Sequence, residues 1–354
     1  MKSLITAVFG LILTTSYAQT ESWLEVRPKA GFLIAHRSIM GHVTNEHAFA
    51  VEASYYFHGN GEKYWHQDYN DPRYGISLYA GTVGNTELLG SYYGAYGFMS
   101  IPLIHTKKYE FAGRFGAGMA YASRVYNHET NNLSIGTSTR MNALISLSLE
   151  NRYQFGNHAV NFIVDMTHFS NGATKVPNLG LNVPYISLGY GYKIQDGMKE
   201  KPSHLDLLHR YWEFGAMGIA SVQEVYPVNG RKYPVFGLNA VARRFFKHTV
   251  GMEVSLDAMY KGSLRAYHPD VPKTEGELLQ LGFFTGYLLP FDRFHLVVGM
   301  GYYLRDKFKF QEQVYHRVGM RYVFANGLNI NLALKSHWAR ADYLEYGIGY
   351  TFKR

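Results

Sequence analysis

A histidine and a serine two residues apart, His168 and Ser170, form the pair in this sequence whose spacing best suits nucleophilic chemistry. A serine hydroxyl attacks only when a base takes its proton, and a histidine whose tautomer is fixed by a third group can do so. Residues two apart on a β-strand project from the same face, so the two side chains could approach each other. The spacing therefore predicts a base and a nucleophile suited to ester cleavage.

The segment 161–170 alternates with period two, which predicts a β-strand with one apolar face. Its more apolar face carries Phe162, Val164, Met166, His168 and Ser170, and its other face carries Asn161, Ile163, Asp165, Thr167 and Phe169. In a membrane barrel the apolar face meets lipid. Asn171 and Gly172 follow, and they can form a tight turn that directs donors toward the oxyanion of a tetrahedral intermediate. The pattern favours cleavage of a lipid ester.

The composition is typical of an outer-membrane β-barrel. The 354-residue chain has 30 Tyr, 22 Phe and 36 Gly. Its mean hydropathy is slightly negative, as expected when lipid-facing and interior residues alternate along barrel strands. A secreted β-sandwich is the soluble alternative, and the many predicted strands that end in aromatic residues disfavour it. We interpret the four tryptophans as aromatics of the membrane interface. They are Trp23, Trp65, Trp212 and Trp338.

The start of the chain indicates export. Its positive net charge would suit binding to an anionic surface. Residues 1–18 resemble a secretory signal peptide, with Lys2 before the apolar run 4–13. The chain has no cysteine, so no disulfide holds the mature protein. Its net charge is +8, but the basic residues form no stripe, so nucleic acid is not an expected partner. Attraction to the anionic head groups of lipopolysaccharide and ordinary solubility charge both fit.

About sixteen alternating segments are predicted to be strands, an even number, as bacterial barrels have. A mostly polar stretch, 195–208, divides them into two groups of eight, which predicts barrel halves at 19–194 and 209–354 joined by a linker. The first group is predicted at 22–37, 47–57, 73–82, 90–103, 107–123, 138–154, 158–170 and 184–194. The second group is predicted at 209–223, 232–246, 249–260, 278–289, 293–304, 313–324, 327–338 and 342–353.

The two halves resemble each other, which favours an internal duplication over convergence of two barrel-like halves. The turn sequence Arg-Tyr-Gln-Phe-Gly-Asn at 152–157 matches Arg-Tyr-Val-Phe-Ala-Asn at 321–326. The closing strands 185–192 and 343–350 match as well. One barrel of sixteen strands and two linked barrels of eight both remain open, because sixteen strands leave a lumen whereas eight leave an interior that side chains just fill.

The lengths of the connections orient the strands. If both ends of the chain are periplasmic, long connections such as 124–137 and 171–183 face outward, and most inward turns are short. The seventh strand then runs outward, so we expect His168 and Ser170 at its outer-leaflet end. The segment 58–72 breaks this rule, because it is long and lies on the periplasmic side.

The stretch 168–180, His-Phe-Ser-Asn-Gly-Ala-Thr-Lys-Val-Pro-Asn-Leu-Gly, resembles the signature of the PagL-type lipid A 3-O-deacylases. These acyloxyacyl hydrolase-like proteins are outer-membrane barrels of eight strands. The resemblance covers roughly 20–194 as a fold and is specific only around 168–182. It implies that His168 is the base, Ser170 the nucleophile and Asn171 part of the oxyanion site.

The third member of the triad departs from the family pattern. The family's acid falls at Asn182, and no Asp or Glu occurs between Asp165 and Asp196. Asp165 lies three residues from His168 and should point to the opposite face. An asparagine can accept the imidazole N–H, as in some Cys-His enzymes, although it cannot stabilise an imidazolium as a carboxylate does. A Ser-His dyad, an Asn-supported triad, an acid from another loop and an inactive protein all remain open.

The second half is predicted to carry no nucleophile. When the apolar faces of the two halves are aligned, Trp338 corresponds to His168 and Arg340 corresponds to Ser170. His337 then falls on the polar face of its strand, and a shift by one residue would exchange the two faces. The role expected for this half is structural, or it positions the lipid.

These features predict an outer-membrane esterase that removes an ester-linked acyl chain from lipid A without a metal or an organic cofactor. The expected partners are lipopolysaccharide, membrane lipid and the barrel assembly machinery, whose recognition signal resembles the last strand, ending at 350–354. The expected location is the outer membrane of a Gram-negative bacterium. A non-enzymatic channel or binding barrel and an outer-membrane phospholipase are the alternatives.

Overall fold

The chain forms sixteen antiparallel strands that close into two separate barrels of eight strands each. The computed structural model describes residues 20–198, 212–267, 269–308, 312–338 and 340–353. The signal peptide predicted at 1–18 and most of the linker predicted at 195–208 lie outside these ranges. Within the described residues, no helix has the length and apolar character needed to cross a bilayer.

The first barrel contains strands β1 to β8, and the second contains β9 to β16. The first set is β1 (Ser22–Phe32), β2 (His47–His58), β3 (Arg73–Thr82), β4 (Ser91–His105), β5 (Tyr109–Ala122), β6 (Met141–Phe155), β7 (His158–Ser170) and β8 (Leu181–Gln195). The second set is β9 (Trp212–Glu224), β10 (Lys232–Lys247), β11 (Val250–Lys261), β12 (Leu279–Phe291), β13 (Phe294–Arg305), β14 (Val314–Val323), β15 (Leu328–His337) and β16 (Arg340–Lys353). One short helix, α1 (Tyr64–Asp68), lies between β2 and β3.

Each barrel closes on itself. Strand β1 pairs with β8, and β9 pairs with β16. The prediction of an all-β transmembrane barrel protein, with sixteen strands in two groups of eight, is thus confirmed. Of the two architectures left open, the single large barrel is wrong, because the closing hydrogen bonds form within each group of eight.

The strands alternate between a lipid-facing exterior and a buried interior. On β8, Ile186, Leu188 and Tyr190 are 57%, 62% and 52% exposed, while Ser187 between them is buried. Aliphatic and aromatic side chains that remain exposed at every second position are those a bilayer would cover. The alternation therefore builds an apolar belt around each barrel.

Charged side chains fill the interior of the first barrel. Glu52 accepts ion pairs from both Arg27 and Arg114, each at 3.1 Å, and Arg27 also reaches Glu150 at 3.2 Å. All four side chains are almost completely buried. Paired charges of this kind satisfy one another inside a narrow barrel and leave no open lumen.

Two tryptophans differ from their predicted place at the membrane interface. Trp23 is completely buried inside the first barrel, where its ring stacks on Tyr56 at 6.5 Å and lies under the Arg152 guanidinium. The prediction fails there because Trp23 occupies an inner-face position of β1. Trp65 is buried in α1, whereas Trp338 is 63% exposed.

The unexplained segment between β2 and β3 joins the two barrels. Helix α1 places Trp65 against Phe291 of the second barrel, with ring centroids 6.3 Å apart. The Tyr69 hydroxyl, one residue beyond α1, lies 3.1 Å from the Pro290 carbonyl oxygen and donates a hydrogen bond to it. The long connection, at the barrel end opposite Ser170, thus fastens one barrel to the other.

We expect a Trp65→Ala, Tyr69→Phe double variant to loosen the barrels from each other while each stays closed. Removing the buried indole leaves a cavity, and removing the hydroxyl removes a hydrogen bond. Since the chain has no cysteine, spin labels at Leu188→Cys and Leu256→Cys can report the distance between the barrels. The distance distribution should broaden in the double variant and stay narrow in the matched Trp212→Ala control. An equally narrow distribution in the double variant would contradict this role for α1.

Candidate active site

His168 and Ser170 lie at the end of β7 on the outer surface of the first barrel. The exterior positions of β7 alternate with buried ones, and Phe169 between the pair points inward. The Phe169 ring packs on Tyr92 at 4.6 Å between centroids, which anchors this end of the strand. The outward phase predicted from the sequence is the one that the strand adopts, but the second barrel covers the pair and leaves Ser170 only 8% exposed.

His168 lies within hydrogen-bond distance of both other residues proposed as a triad from the sequence. Asn182 on β8 is the cross-strand partner of His168, so the two side chains meet on the same exterior face. The distance from His168 Nδ1 to Asn182 Oδ1 is 2.6 Å, and that from His168 Nε2 to Ser170 Oγ is 3.0 Å. The imidazole is thus held between an amide oxygen and the serine hydroxyl.

A second histidine, His36, determines which way the Asn182 amide faces. His36 Nε2 lies 3.1 Å from the Leu179 carbonyl oxygen, which can only accept, so this nitrogen carries the proton. The other ring nitrogen, Nδ1, must then accept from Asn182 Nδ2 at 3.3 Å. This turns Asn182 Oδ1 toward His168, whose Nδ1 donates and whose Nε2 is left to accept the Ser170 proton. The chain of hydrogen bonds fixes the tautomer that a general base needs.

The carboxylate nearest in sequence lies on the other side of the barrel wall. Asp165 is buried in the interior, 3.0 Å from Lys29 Nζ, as its position three residues before His168 predicted. Among the described residues, the ring of His168 hydrogen-bonds to Ser170 and Asn182 and to no carboxylate. Asn182 therefore orients the imidazole through its dipole alone.

Gly180 makes room for the imidazole. Its φ of +75° is in the left-handed region, and a Cβ there would lie 2.8 Å from His168 Cε1. Any larger residue would strain the backbone and press on the ring. The glycine that ends the resembling stretch thus has a direct role in seating the proposed base.

Asn171 ties the loop after β7 together. Its side-chain Nδ2 donates to the Lys175 carbonyl oxygen at 2.9 Å and to Ser138 Oγ at 3.3 Å. Its backbone N–H donates to Asn178 Oδ1 at 3.0 Å. To meet an oxyanion, Asn171 would have to exchange one of these acceptors for the substrate, so its oxyanion role stays a prediction.

A cavity of about 610 Å³ opens at Ser170 and has walls from both barrels. The second barrel contributes residues that include Leu334, Ser336, Trp338 and Arg340. The two barrels also touch beside the nucleophile, since a Cβ at Gly172 would lie 2.4 Å from Leu344 Cγ. The second barrel therefore turns an exposed patch of the first barrel into an enclosed site.

One face of β15 borders this cavity. In the sequence alignment of the two halves, this face corresponds to the β7 face that carries His168 and Ser170. His337 points into the second barrel, where its Nε2 lies 3.2 Å from the Tyr303 hydroxyl. Trp338 and Arg340 border the cavity at the positions that correspond to His168 and Ser170. The register chosen from the sequence agrees with the inward direction of His337. It ends with β15, because Trp338 lies in the following turn with a φ of +51° and Arg340 begins β16.

Ser336 also borders the cavity, but the histidine that pairs with it across the strands cannot act as its base. His316 is the cross-strand partner of Ser336, and its Nδ1 accepts the backbone N–H of Trp338 at 3.2 Å. In the neutral ring the proton is then on Nε2, which can donate but cannot take a proton from a serine. The absence of a nucleophile in the second half remains a prediction, and this tautomer supports it.

We expect Asn182→Leu, a change of similar size, to slow covalent labelling of Ser170 by a fluorophosphonate about 10- to 100-fold, because the imidazole loses its orienting acceptor. Asn182→Asp should accelerate labelling, since a carboxylate also stabilises the imidazolium. The measurement is the rate of probe incorporation into the full chain in detergent. Labelling of Asn182→Leu at the wild-type rate would mean that His168 needs no third member.

We expect His36→Phe to slow labelling as well, because Asn182 could then turn its amide nitrogen toward His168. The loss should disappear in the Asn182→Asp background, since a carboxylate presents an acceptor in either orientation. This rescue separates a positioning role from a general structural one. An undiminished loss in the Asn182→Asp background would contradict the role of His36.

Comparisons with known proteins agree with this division of the chain. Residues 49–192 match the sequence model of the family "Lipid A 3-O-deacylase (PagL)", and residues 209–354 match "Acyloxyacyl hydrolase, C-terminal domain". No curated protein matches the chain. Solved structures with some similarity include a mutant porin of Rh. blastica, at 10% identity and a TM-score of 0.18 over 94% of this chain and 100% of the porin. Another is the TodX deltaS2S3 mutant monoaromatic hydrocarbon channel, at 10% identity and a TM-score of 0.19 over 97% of this chain and 92% of the channel.

These TM-scores are too low to carry an argument about fold or function, whereas the two family matches span most of both barrels. Taken together, the two matches show that the chain belongs to the family of PagL lipid A 3-O-deacylases.

Proposed function

We propose that this protein removes an ester-linked acyl chain from lipid A by a serine-histidine mechanism in the outer membrane of a Gram-negative bacterium. The observation that carries the proposal is the hydrogen-bond chain from Ser170 through His168 to Asn182 on the outer surface of the first barrel. The cavity between the barrels opens at this chain of hydrogen bonds and offers a place for a lipid ester.

In the first half-reaction the Ser170 Oγ attacks the ester carbonyl carbon while His168 Nε2 takes the hydroxyl proton. The tetrahedral intermediate collapses, the bond to the sugar oxygen breaks, and the imidazolium returns its proton to that oxygen. In the second half-reaction His168 deprotonates a water, which attacks the acyl carbonyl carbon. The bond to Ser170 Oγ then breaks, the imidazolium returns its proton to that oxygen, and the fatty acid is released. The balance is one ester and one water converted into one alcohol and one carboxylic acid.

The oxyanion formed in each half-reaction needs a donor, and we keep Asn171 in this role. Its Nδ2 hydrogen bond to Ser138 is long, at 3.3 Å, so a developing oxyanion next to Ser170 could replace that neutral hydroxyl as acceptor. A charged oxygen accepts more strongly than a neutral one, so the exchange favours the transition state over the ground state.

Two arginines support an anionic lipid as substrate. Arg37 from the first barrel and Arg340 from the second both border the Ser170 cavity, and among the described residues neither forms an ion pair. Tyr267 borders the same cavity, and burial together with the nearby Asp342 carboxylate raises its pKa to about 12. It therefore stays a neutral donor at physiological pH. Cations and a neutral donor suit the phosphate groups of lipid A.

The charge-filled interior of the first barrel disfavours a channel, because narrow barrels packed with side chains leave no aqueous path. A phospholipase would use the same residues, and its product, a lysophospholipid, distinguishes it. Lipopolysaccharide and membrane lipid are the proposed partners in the membrane, and the barrel assembly machinery is the proposed partner during insertion.

We expect Ser170→Ala to abolish deacylation while both barrels stay folded, because the change removes one buried oxygen from the end of a strand. The measurement is mass spectrometry of lipid A from cells that express each variant. Ser336→Ala, which changes the other serine of the cavity, should retain most of the deacylation. Deacylated lipid A in cells with Ser170→Ala, or its loss in cells with Ser336→Ala, would contradict the assignment of the nucleophile.

A further inference from the structure

A second and larger cavity lies between the two barrels, next to the Ser170 cavity and nearer the start of β7. Its volume is about 1050 Å³. The first barrel lines it with exterior side chains that include Ile76, Met99, Val164 and Met166. The second barrel lines it with residues that include Leu296 and Met320. We call this cavity the inter-barrel groove.

The lining of the groove is almost entirely apolar. Two charged residues border it, Arg114 and Asp165, but both side chains belong to the barrel interior. Arg114 pairs with Glu52 there at 3.1 Å, and Asp165 pairs with Lys29 at 3.0 Å. A hydrocarbon chain is the ligand that such a lining suits, because a polar ligand would lose its hydration without gaining partners.

The groove continues from the Ser170 cavity along both walls. On β7, Met166 of the groove and His168 of the cavity are two residues apart on the same face. On the opposite wall, Leu334 borders the cavity, and Leu332, the next residue on that face, is the cross-strand partner of Met320 in the groove. The two linings are thus adjacent on β7, and on the opposite wall Leu332 lies between them.

The dimensions fit one acyl chain. From Ser170 to Val164 the strand covers six residues, or ~20 Å, while one leaflet of the bilayer core is ~15 Å thick. A chain attached to the ester carbonyl at Ser170 can therefore lie along β7 for its whole length.

We propose that the inter-barrel groove holds the acyl chain that is cleaved, and that the second barrel forms one wall of the groove and limits the chain length accepted. This proposal rests on the serine esterase function proposed above. It assigns the C-terminal barrel a direct part in substrate binding, through Leu296 and Met320 in the groove and Leu334 in the Ser170 cavity. Bulk membrane lipid is the competing occupant. If it filled the groove instead, substitutions in the groove would not change the rate of ester hydrolysis.

The test compares hydrolysis of p-nitrophenyl butyrate and p-nitrophenyl palmitate by the full chain in detergent micelles. We expect Met320→Trp to lower kcat/KM for the palmitate ester at least ~10-fold by filling the groove, and to leave the butyrate ester unaffected. Leu296→Trp, on the neighbouring strand, should act in the same way.

Leu256→Trp is the matched control, because Leu256 is 59% exposed on the outside of β11 and borders neither space. It should change neither rate. If the Met320 and Leu296 variants hydrolyse both esters at wild-type rates, or lose both equally, the groove does not hold the reacting chain. Butyrate hydrolysis that survives Ser170→Ala would instead overturn the proposed esterase mechanism, so the two failures are distinguishable.

Discussion

The phase of β7 is the constraint on which the rest of the structure depends. Period-two alternation sends Phe169 into the barrel, where it packs on Tyr92, and sends His168 and Ser170 outward. A shift of one residue would place the imidazole among the buried ion pairs and the aromatic ring in the lipid. Strand pairing with β8 then brings Asn182 opposite His168, so the same alternation also supplies the group that orients the base.

The two barrels have different roles because an eight-stranded barrel has no room for a substrate inside. The interior of the first barrel is occupied by ion pairs such as Arg27 with Glu52, so any lipid chemistry has to take place on the outer surface. Without the second barrel, the outer surface that carries His168 and Ser170 would be open on one side. Contacts at both ends, Trp65 with Phe291 and Gly172 with Leu344, bring the second barrel against that surface and enclose it.

Much of the fold was predictable from the sequence, because strand periodicity is a local property. Strand β7 was predicted with its observed bounds, and the duplicated halves indicated two groups of eight. The choice between one barrel and two was not predictable, since it depends on which edge strands pair. His36 and α1 carried no local signal either, because their roles arise only when distant segments meet at Asn182 and at Phe291. The orientation of the Asn182 amide was not predictable either, because a sequence cannot show which amide atom faces the His168 ring.

The central claim is that Ser170, oriented by His168 and Asn182 on the outer surface of the first barrel, forms a covalent bond to the acyl group. The most direct measurement is mass spectrometry of peptides from the full chain quenched in acid during turnover of lipid A. The account predicts an acyl adduct on the peptide that contains Ser170 and none on the peptide that contains Ser336. An adduct on another residue, or fatty acid release with no adduct on Ser170 at any time of quenching, would contradict it.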